Sequence, residues 1–425
     1  MSSSGSPPSS LARVLGVPGA VLMGLGSIVG TGIFVSIGTA AGVAGGSVLV
    51  AVALAAVVAT CNGLSSAQLA AAHPVSGGAY EYGHRYATPT VGFIAGWMFV
   101  CAKTASAATA GLGFGGYALA LIGHTDRTVQ IALAAAAVAA LTWIVAGGIR
   151  RSNRMNAIIV AITVIALVGF VIAGLPHVSV AHLDLTAASP RQIAHATALM
   201  FVAYTGYGRI ATLGEEVHDP ARTIPRAIVM TLLAACVLYV AVTVVAVGAA
   251  GGEGLARATR AGAAPLETIA AGFAAPVRYL VAVGAVTAML GVILNLLLGI
   301  SRVVLAMARR GDAPKRLARV HGSSPRAAVI VTGAVIAALA LIGSVKTTWS
   351  FSAFSVLVYY AIANWCALRQ PADQRRFPRA VPIVGLVSCL GLALWVEPVI
   401  WIVGLALIAV GVLARALLSR PPPRD

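Results

Sequence analysis

Gly26-Ser27-Ile28-Val29-Gly30-Thr31-Gly32-Ile33-Phe34 breaks a long apolar run at its middle, and five apolar spans later Phe201-Val202-Ala203-Tyr204-Thr205-Gly206-Tyr207-Gly208 breaks another. In hydrocarbon every freed N–H or C=O needs a new partner, so a membrane helix tolerates such a break only where protein or an internal cavity supplies one. A matching pair of breaks in the two halves of a chain points to the binding site of a carrier. The pair therefore predicts a small solute held between the two stretches.

The rest of the chain fits a membrane setting. Of its 425 residues, 59% are hydrophobic and 10% charged, with a mean hydropathy of +0.93. A soluble domain of that size would lack the charge to cover its surface. A membrane helix needs about 20 apolar residues. Twelve spans are expected on that basis, at 18–43, 47–71, 90–122, 129–148, 155–175, 192–214, 226–250, 276–309, 326–343, 347–367, 381–395 and 398–418. One all-α transmembrane domain over 18–418 follows, between a Ser- and Pro-rich tail (1–17) and a short second tail (419–425). The opening residues hold neither an apolar core nor a small-residue cleavage site, so they read as a cytoplasmic tail and not as a removed leader.

The net charge of +17 sorts by loop. With the N-terminus inside, twenty of the 29 Lys and Arg residues fall on inner segments, such as Arg150-Arg151 and Arg309-Arg310. Six fall outside (Arg127, Arg191, Arg257, Arg260, Arg278 and Lys346), and Lys103, Arg209 and Arg302 lie within spans. Cytoplasmic loops carry such an excess. The expected location is the inner (plasma) membrane, multi-pass, with both termini cytoplasmic. The surplus also attracts anionic lipid, and with no soluble basic module, nucleic acid is not an expected partner. The five cysteines form no Cys-x-x-Cys pair and the eight histidines no metal motif. Neither a metal, a cofactor nor an enzyme is expected.

A broken helix offers specific chemistry. The half that begins after the break presents unsatisfied N–H groups and a positive dipole end. The amides around Thr31, Gly32 and Ile33, with the Thr31 hydroxyl, are thus candidates for holding a carboxylate. Glycines at 30 and 32 keep side chains out of the way. Carbonyls of the second break, from Phe201 through Ala203 to Tyr204, are candidates for receiving an ammonium group. Amides on one side and carbonyls on the other suit an α-amino acid zwitterion; helix packing alone is the other reading of these glycines.

Gly30-Thr31-Gly32-Ile33-Phe34, the loop Pro74-Val75-Ser76-Gly77-Gly78-Ala79-Tyr80, and Ala203-Tyr204-Thr205-Gly206-Tyr207-Gly208 through Gly214-Glu215-Glu216 resemble the amino acid–polyamine–organocation transporter superfamily. Asp219-Pro220 through Ile224-Pro225-Arg226, and Met307-Ala308-Arg309 to Pro314, are similar too. Within it the chain is most similar to bacterial amino acid permeases related to the cationic amino acid transporters. The resemblance implies a LeuT-like fold: a five-plus-five inverted repeat (18–175 and 192–367), helices 1 and 6 broken, two extra C-terminal helices (381–418), and alternating access. It implies that Gly30, Thr31 and Gly32 meet the substrate carboxylate. The region from Phe201 to Gly206 meets the amino group, with Tyr204 or Phe201 as a gate.

Two departures from the family pattern bear on substrate and coupling. Thr163 stands where proton-coupled relatives carry a span-5 lysine. Its hydroxyl either ligates a sodium ion or bonds the helix backbone. Ala102 stands where carriers of cationic substrates often show an acid, and Lys103 follows it. Lys103 would repel a cationic side chain, so neutral or broad-range amino acids are expected. An intramembrane lysine is a functional candidate by default, and here it takes over the charge switch, which favours a proton over sodium. The alternatives for it are pairing with Glu215 or snorkelling. Glu215 and Glu216, pairing with Arg209 or with basic inner loops, read as inner-gate ion-pair acids more than as substrate ligands, and Asn295, mid-span, either faces the cavity or ties its helix to a neighbour. The expected partners are an amino acid and the bilayer, with the protein a monomer or weak homo-oligomer.

Overall fold

A computed structural model describes residues 15–74, 77–148, 153–186, 188–211, 217–320 and 324–418. Glu215, Glu216 and the Val75-Ser76 part of the loop motif lie outside them. The described architecture is helical. The first apolar segment is α1 (Val17–Ile28), a π-helical turn over Gly32–Ser36 and α2 (Ile37–Ala44), followed by α3 (Val48–Ala72). Next come a short α4 (Ala79–Tyr86), α5 (Pro89–Leu121), α6 (Arg127–Ala146) and α7 (Asn153–Gly174). The second broken segment is α8 (Pro190–Tyr204), a 3₁₀ turn over Thr205–Tyr207 and α9 (Gly208–Ala211). There follow α10 (Pro220–Gly262), α11 (Pro265–Ala270), α12 (Ala275–Arg309), α13 (Arg326–Ile342), α14 (Val345–Leu368), α15 (Ala380–Ala393) and α16 (Pro398–Leu418).

Local sequence sets the boundaries. Proline opens α5, α8, α10 and α16, where the missing N–H is not needed. The side chains of Thr88 and Asp126 accept from the first-turn amides of α5 and α6, and capping boxes at Ser189 and Ser344 do the same for α8 and α14. Gly45, at φ +55°, makes the turn between α2 and α3. Gly251, at φ +69°, kinks α10.

Among the described residues, eight stretches are long and apolar enough to cross a membrane: Val17–Ala72, which covers the first two expected spans, Pro89–Leu121, Arg127–Ala146, Arg154–His177, Pro220–Gly262, Ala275–Arg309, Val345–Leu368 and Pro398–Leu417. Arg326–Ile342 and Ala380–Ala393 are shorter apolar helices. The chain is thus a multi-pass helical membrane protein. Helix α5 runs through the middle, packed on α12 and α14, and its small residues make that possible. A Cβ on Gly113 would lie 2.8 Å from Met289 Sδ, and one on Gly116 would collide with the Gly262 carbonyl. In lipid, where no hydrophobic force draws helices together, such backbone approach supplies the packing.

One expectation needs correcting. The alternating polarity of residues 264–269 predicts a short surface helix between the seventh and eighth spans; it is α11, and it is buried through Pro265, Leu266, Glu267, Ile269 and Ala270. Tyr117 holds it: the hydroxyl accepts from Leu266 N–H (3.3 Å) and donates to Phe34 C=O (2.6 Å). Buried Glu267 is neutralised by Arg278.

Candidate functional site

The two breaks meet at the centre of the molecule. Helix α1 stops at Ile28 because Val29 turns extended, at φ −78° and ψ +100°. The chain re-enters helix at Thr31 as a π turn. The second break is gentler than the sequence suggested: the backbone narrows to a 3₁₀ turn, in which Thr205 N–H reaches Val202 C=O and Gly208 N–H reaches Thr205 C=O. A 3₁₀ turn keeps these bonds made, so fewer carbonyls are released than by full unwinding.

Glycine brings the breaks together. A Cβ on Gly206 would lie 2.6 Å from Ile28 N and clash with the Ser27 carbonyl, and one on Gly32 would lie 2.7 Å from Ala203 Cα. Polar groups freed at each break are partly used inside the protein. Ile33 N–H and Phe34 N–H both donate to Gly30 C=O at 3.1 Å. The Tyr239 hydroxyl of α10 donates to Ile28 C=O at 2.7 Å and, more weakly, to Ala203 C=O at 3.3 Å. Thr31 Oγ1 is buried with no hydrogen-bond partner, an atom left without compensation at the junction.

A cavity of about 350 Å³ lies beside this junction and reaches exposed Arg302 and Arg309. Ser27, Lys103, Thr205, Gly206, Asn295, Tyr359 and Tyr360 line its inner part. Among the expected site residues, Gly206, Lys103 and Asn295 therefore line this cavity. Gly30, Thr31, Gly32, Ile33, Phe201, Ala203 and Tyr204 do not: they are packed behind its wall in this conformation, with Phe201 and Tyr204 fully buried. The Tyr204 hydroxyl donates to Val52 C=O at 3.3 Å.

Lys103 Nζ donates to Thr205 Oγ1 at 3.0 Å, and that hydroxyl donates on to Val202 C=O at 2.8 Å. The lysine is thus tied to the second break itself. Asn295 both lines the cavity and donates to Gly26 C=O at 3.3 Å. Thr163 Oγ1 donates to Ile159 C=O at 2.7 Å, an ordinary helix back-bond. No group of three His, Cys, Asp or Glu among the described residues is placed to hold a metal.

The sequence reading missed Tyr239, Tyr359 and Tyr360. Tyr360 donates to Thr205 C=O at 3.2 Å and stacks edge-on against Phe201; Tyr359 accepts from Ala79 N–H at 3.2 Å. A tyrosine hydroxyl inside an apolar span was the available signal, since such a group needs a partner there.

It also missed two charged clusters. Buried Asp312, after α12, receives Arg415 Nε at 2.6 Å and the Tyr80 hydroxyl at 2.8 Å, which ties α16 to α4. At the opposite end His195 lies 3.3 Å from Glu397, which Lys346 approaches at 3.2 Å. Burial alone would raise the Glu397 carboxyl, but His195, the backbone and Lys346 together outweigh it and hold it at about 2. A depressed carboxyl stabilises the fold above its free value of 4.5 and loses that contribution as pH falls to about 2. Glu397→Gln is expected to abolish the part of the melting-temperature change that wild type shows over that acid window. An unaltered pH profile would remove Glu397 from the account.

The model of the family described as "Amino acid permease" matches residues 15–422. An uncharacterized transporter of Mycobacterium bovis is 42% identical over 421 residues, covering 97% of this chain and 93% of its own. The branched-chain amino acid permease of Bacillus subtilis is 27% identical (91% and 86% covered). The vacuolar cationic amino acid transporter 2 of Arabidopsis thaliana is 26% identical (87% and 62% covered). A helical membrane chain with paired helix breaks beside a cavity, matched along nearly its whole length, is a transporter and not an enzyme: it belongs to the amino acid permease family of the amino acid–polyamine–organocation superfamily.

Proposed function

We propose that this protein is a secondary active transporter that moves neutral or broad-range α-amino acids across the inner membrane by alternating access, driven by protons in preference to sodium. In this reading the chain crosses the membrane twelve times with both termini cytoplasmic. Residues 18–175 and 192–367 form inverted repeats, and 381–418 add two outer helices. The cavity reaching Arg302 and Arg309 is then the cytoplasmic vestibule of an inward-facing state. Gly30, Thr31, Gly32 and Ile33 grip the carboxylate, and the stretch from Phe201 through Ala203 and Tyr204 to Gly206 grips the ammonium, in the states where the junction is open to the solute. Glu215 acts at the inner gate, and the protein works as a monomer or weak homo-oligomer.

The observation that carries the reading is the backbone-to-backbone junction of two helix breaks beside a cavity with Lys103 on its wall. The lysine, and the lack of a carboxylate within ion-pair distance of it among the described residues, favour neutral over cationic side chains. Counterflow in proteoliposomes tests this: vesicles loaded with unlabelled L-leucine, L-alanine or L-lysine, one at a time, are given the labelled form outside. Exchange of leucine or alanine exceeding that of lysine is expected; exchange of lysine alone would reverse the specificity, and exchange of none would remove the function.

A further inference from the structure

One side chain outside both broken segments reaches a main-chain carbonyl of each. Tyr239 sits on α10, fully buried, with its ring 5.0 Å from that of Tyr204. Its hydroxyl points one proton at the carbonyl that ends α1 (Ile28) and at a carbonyl of the last turn of α8 (Ala203). Terminal carbonyls of a helix have no intrahelical donor, and a buried carbonyl without one is costly. On the reading proposed above, a substrate ammonium supplies donors at this junction while the carrier is loaded. When the substrate leaves, those carbonyls need a replacement.

We infer that Tyr239 is a positioning residue whose hydroxyl stands in for the substrate ammonium in the empty carrier and so lets the protein reorient unloaded. The arrangement fits that task in three ways. The donor is short-range and fixed, because α10 packs along α1 and α3 and the ring is wedged against Tyr204. It bridges both breaks, so it holds together the two stretches that Gly32 and Gly206 bring into backbone contact. It also belongs to neither broken segment, so it needs no rearrangement of either to replace a departing ammonium. The consequence is a transport mode: a carrier able to return empty performs net uptake, whereas one that must be loaded to turn only exchanges.

The inference rests on the proposed function, and one pair of assays separates the two. Proteoliposomes are given a radiolabelled mixture of L-amino acids outside, with the lumen either free of amino acids (net uptake) or filled with the unlabelled mixture (exchange). No pH gradient is imposed. Wild type is expected to do both. Tyr239→Phe keeps the ring and loses the donor; it is expected to keep exchange within about twofold and to lose net uptake by roughly tenfold or more, the size expected for one unsatisfied buried carbonyl. Retained exchange also demonstrates that the variant is folded. Equal loss of both modes, or loss of neither, overturns the inference. So does a wild type that exchanges but shows no net uptake, while amino acid transport itself stands. A wild type that moves none of the mixture in either mode removes the functional reading and this inference together.

Discussion

Gly206→Val is expected to abolish amino acid counterflow, by roughly a hundredfold, while Gly391→Ala on α15 leaves it intact. The difference lies in what a new side chain meets. At Gly206 the first added carbon falls on the Ser27 carbonyl and 2.6 Å from Ile28 N, that is, on main chain of the other break. Main chain cannot swing aside as a flexible side-chain tip can. At Gly391 an added Cβ meets no atom within 4 Å, and alanine in a helix is favourable by itself. Overpacking typically costs about 1–3 kcal/mol; contact with backbone places Gly206→Val at the upper end. About 3 kcal/mol is roughly two powers of ten in an equilibrium between conformations. The variant should therefore reach the membrane yet fail to cycle, read as counterflow per unit of folded protein. Normal counterflow from well-expressed Gly206→Val would mean that the two breaks need not touch for transport.

Lys103→Met is expected to separate the driving force from the transport step. Methionine keeps a long unbranched stem of similar packing but carries no charge and no donor. In wild type the ammonium donates to Thr205 Oγ1, inside the 3₁₀ turn of the second break. A charge held in a low-dielectric wall is expensive, so gain or loss of its proton changes the stability of whichever state surrounds it with water. That dependence is what proton coupling requires, and Thr163, bonded to its own helix, has no proton to exchange. Stimulation of uptake by an imposed pH gradient should fall at least about tenfold, with counterflow at symmetrical pH changed by no more than a few-fold. Gradient-driven uptake persisting in Lys103→Met would assign coupling elsewhere. The readout differs from that for Tyr239→Phe, in which net uptake fails without any gradient.

These two positions differ in how far the sequence alone exposes them. Gly206 is legible because glycine in mid-span, matched by Gly30 and Gly32 in another, signals close backbone approach. Lys103 is legible because a charge in an apolar run is conspicuous, but its partner is not. The folded chain gives Thr205, 102 residues away, while Glu215, the acid that the sequence offered, lies outside the described residues. Tyr239, Tyr360, Arg415 and Asp312 were illegible as a set. The hydrogen-bond partners of their side chains lie from 36 to 325 residues away in the chain, and no periodicity encodes which helix faces which.

What the linear chain determined by itself is the solvent the protein lives in, the helices, and the two places where a helix breaks. Hydrocarbon forces each of these, since it admits only apolar side chains and satisfied backbone, and violations stand out residue by residue. Tertiary structure alone decided where the freed polar groups find partners. Hydrogen bonds between segments depend on distances of a few tenths of an ångström, which are fixed only when all the helices pack. That is why Thr31, Phe201 and Tyr204, chosen from the sequence, sit behind the cavity wall here, while Ser27, Thr205, Tyr359 and Tyr360 stand on it.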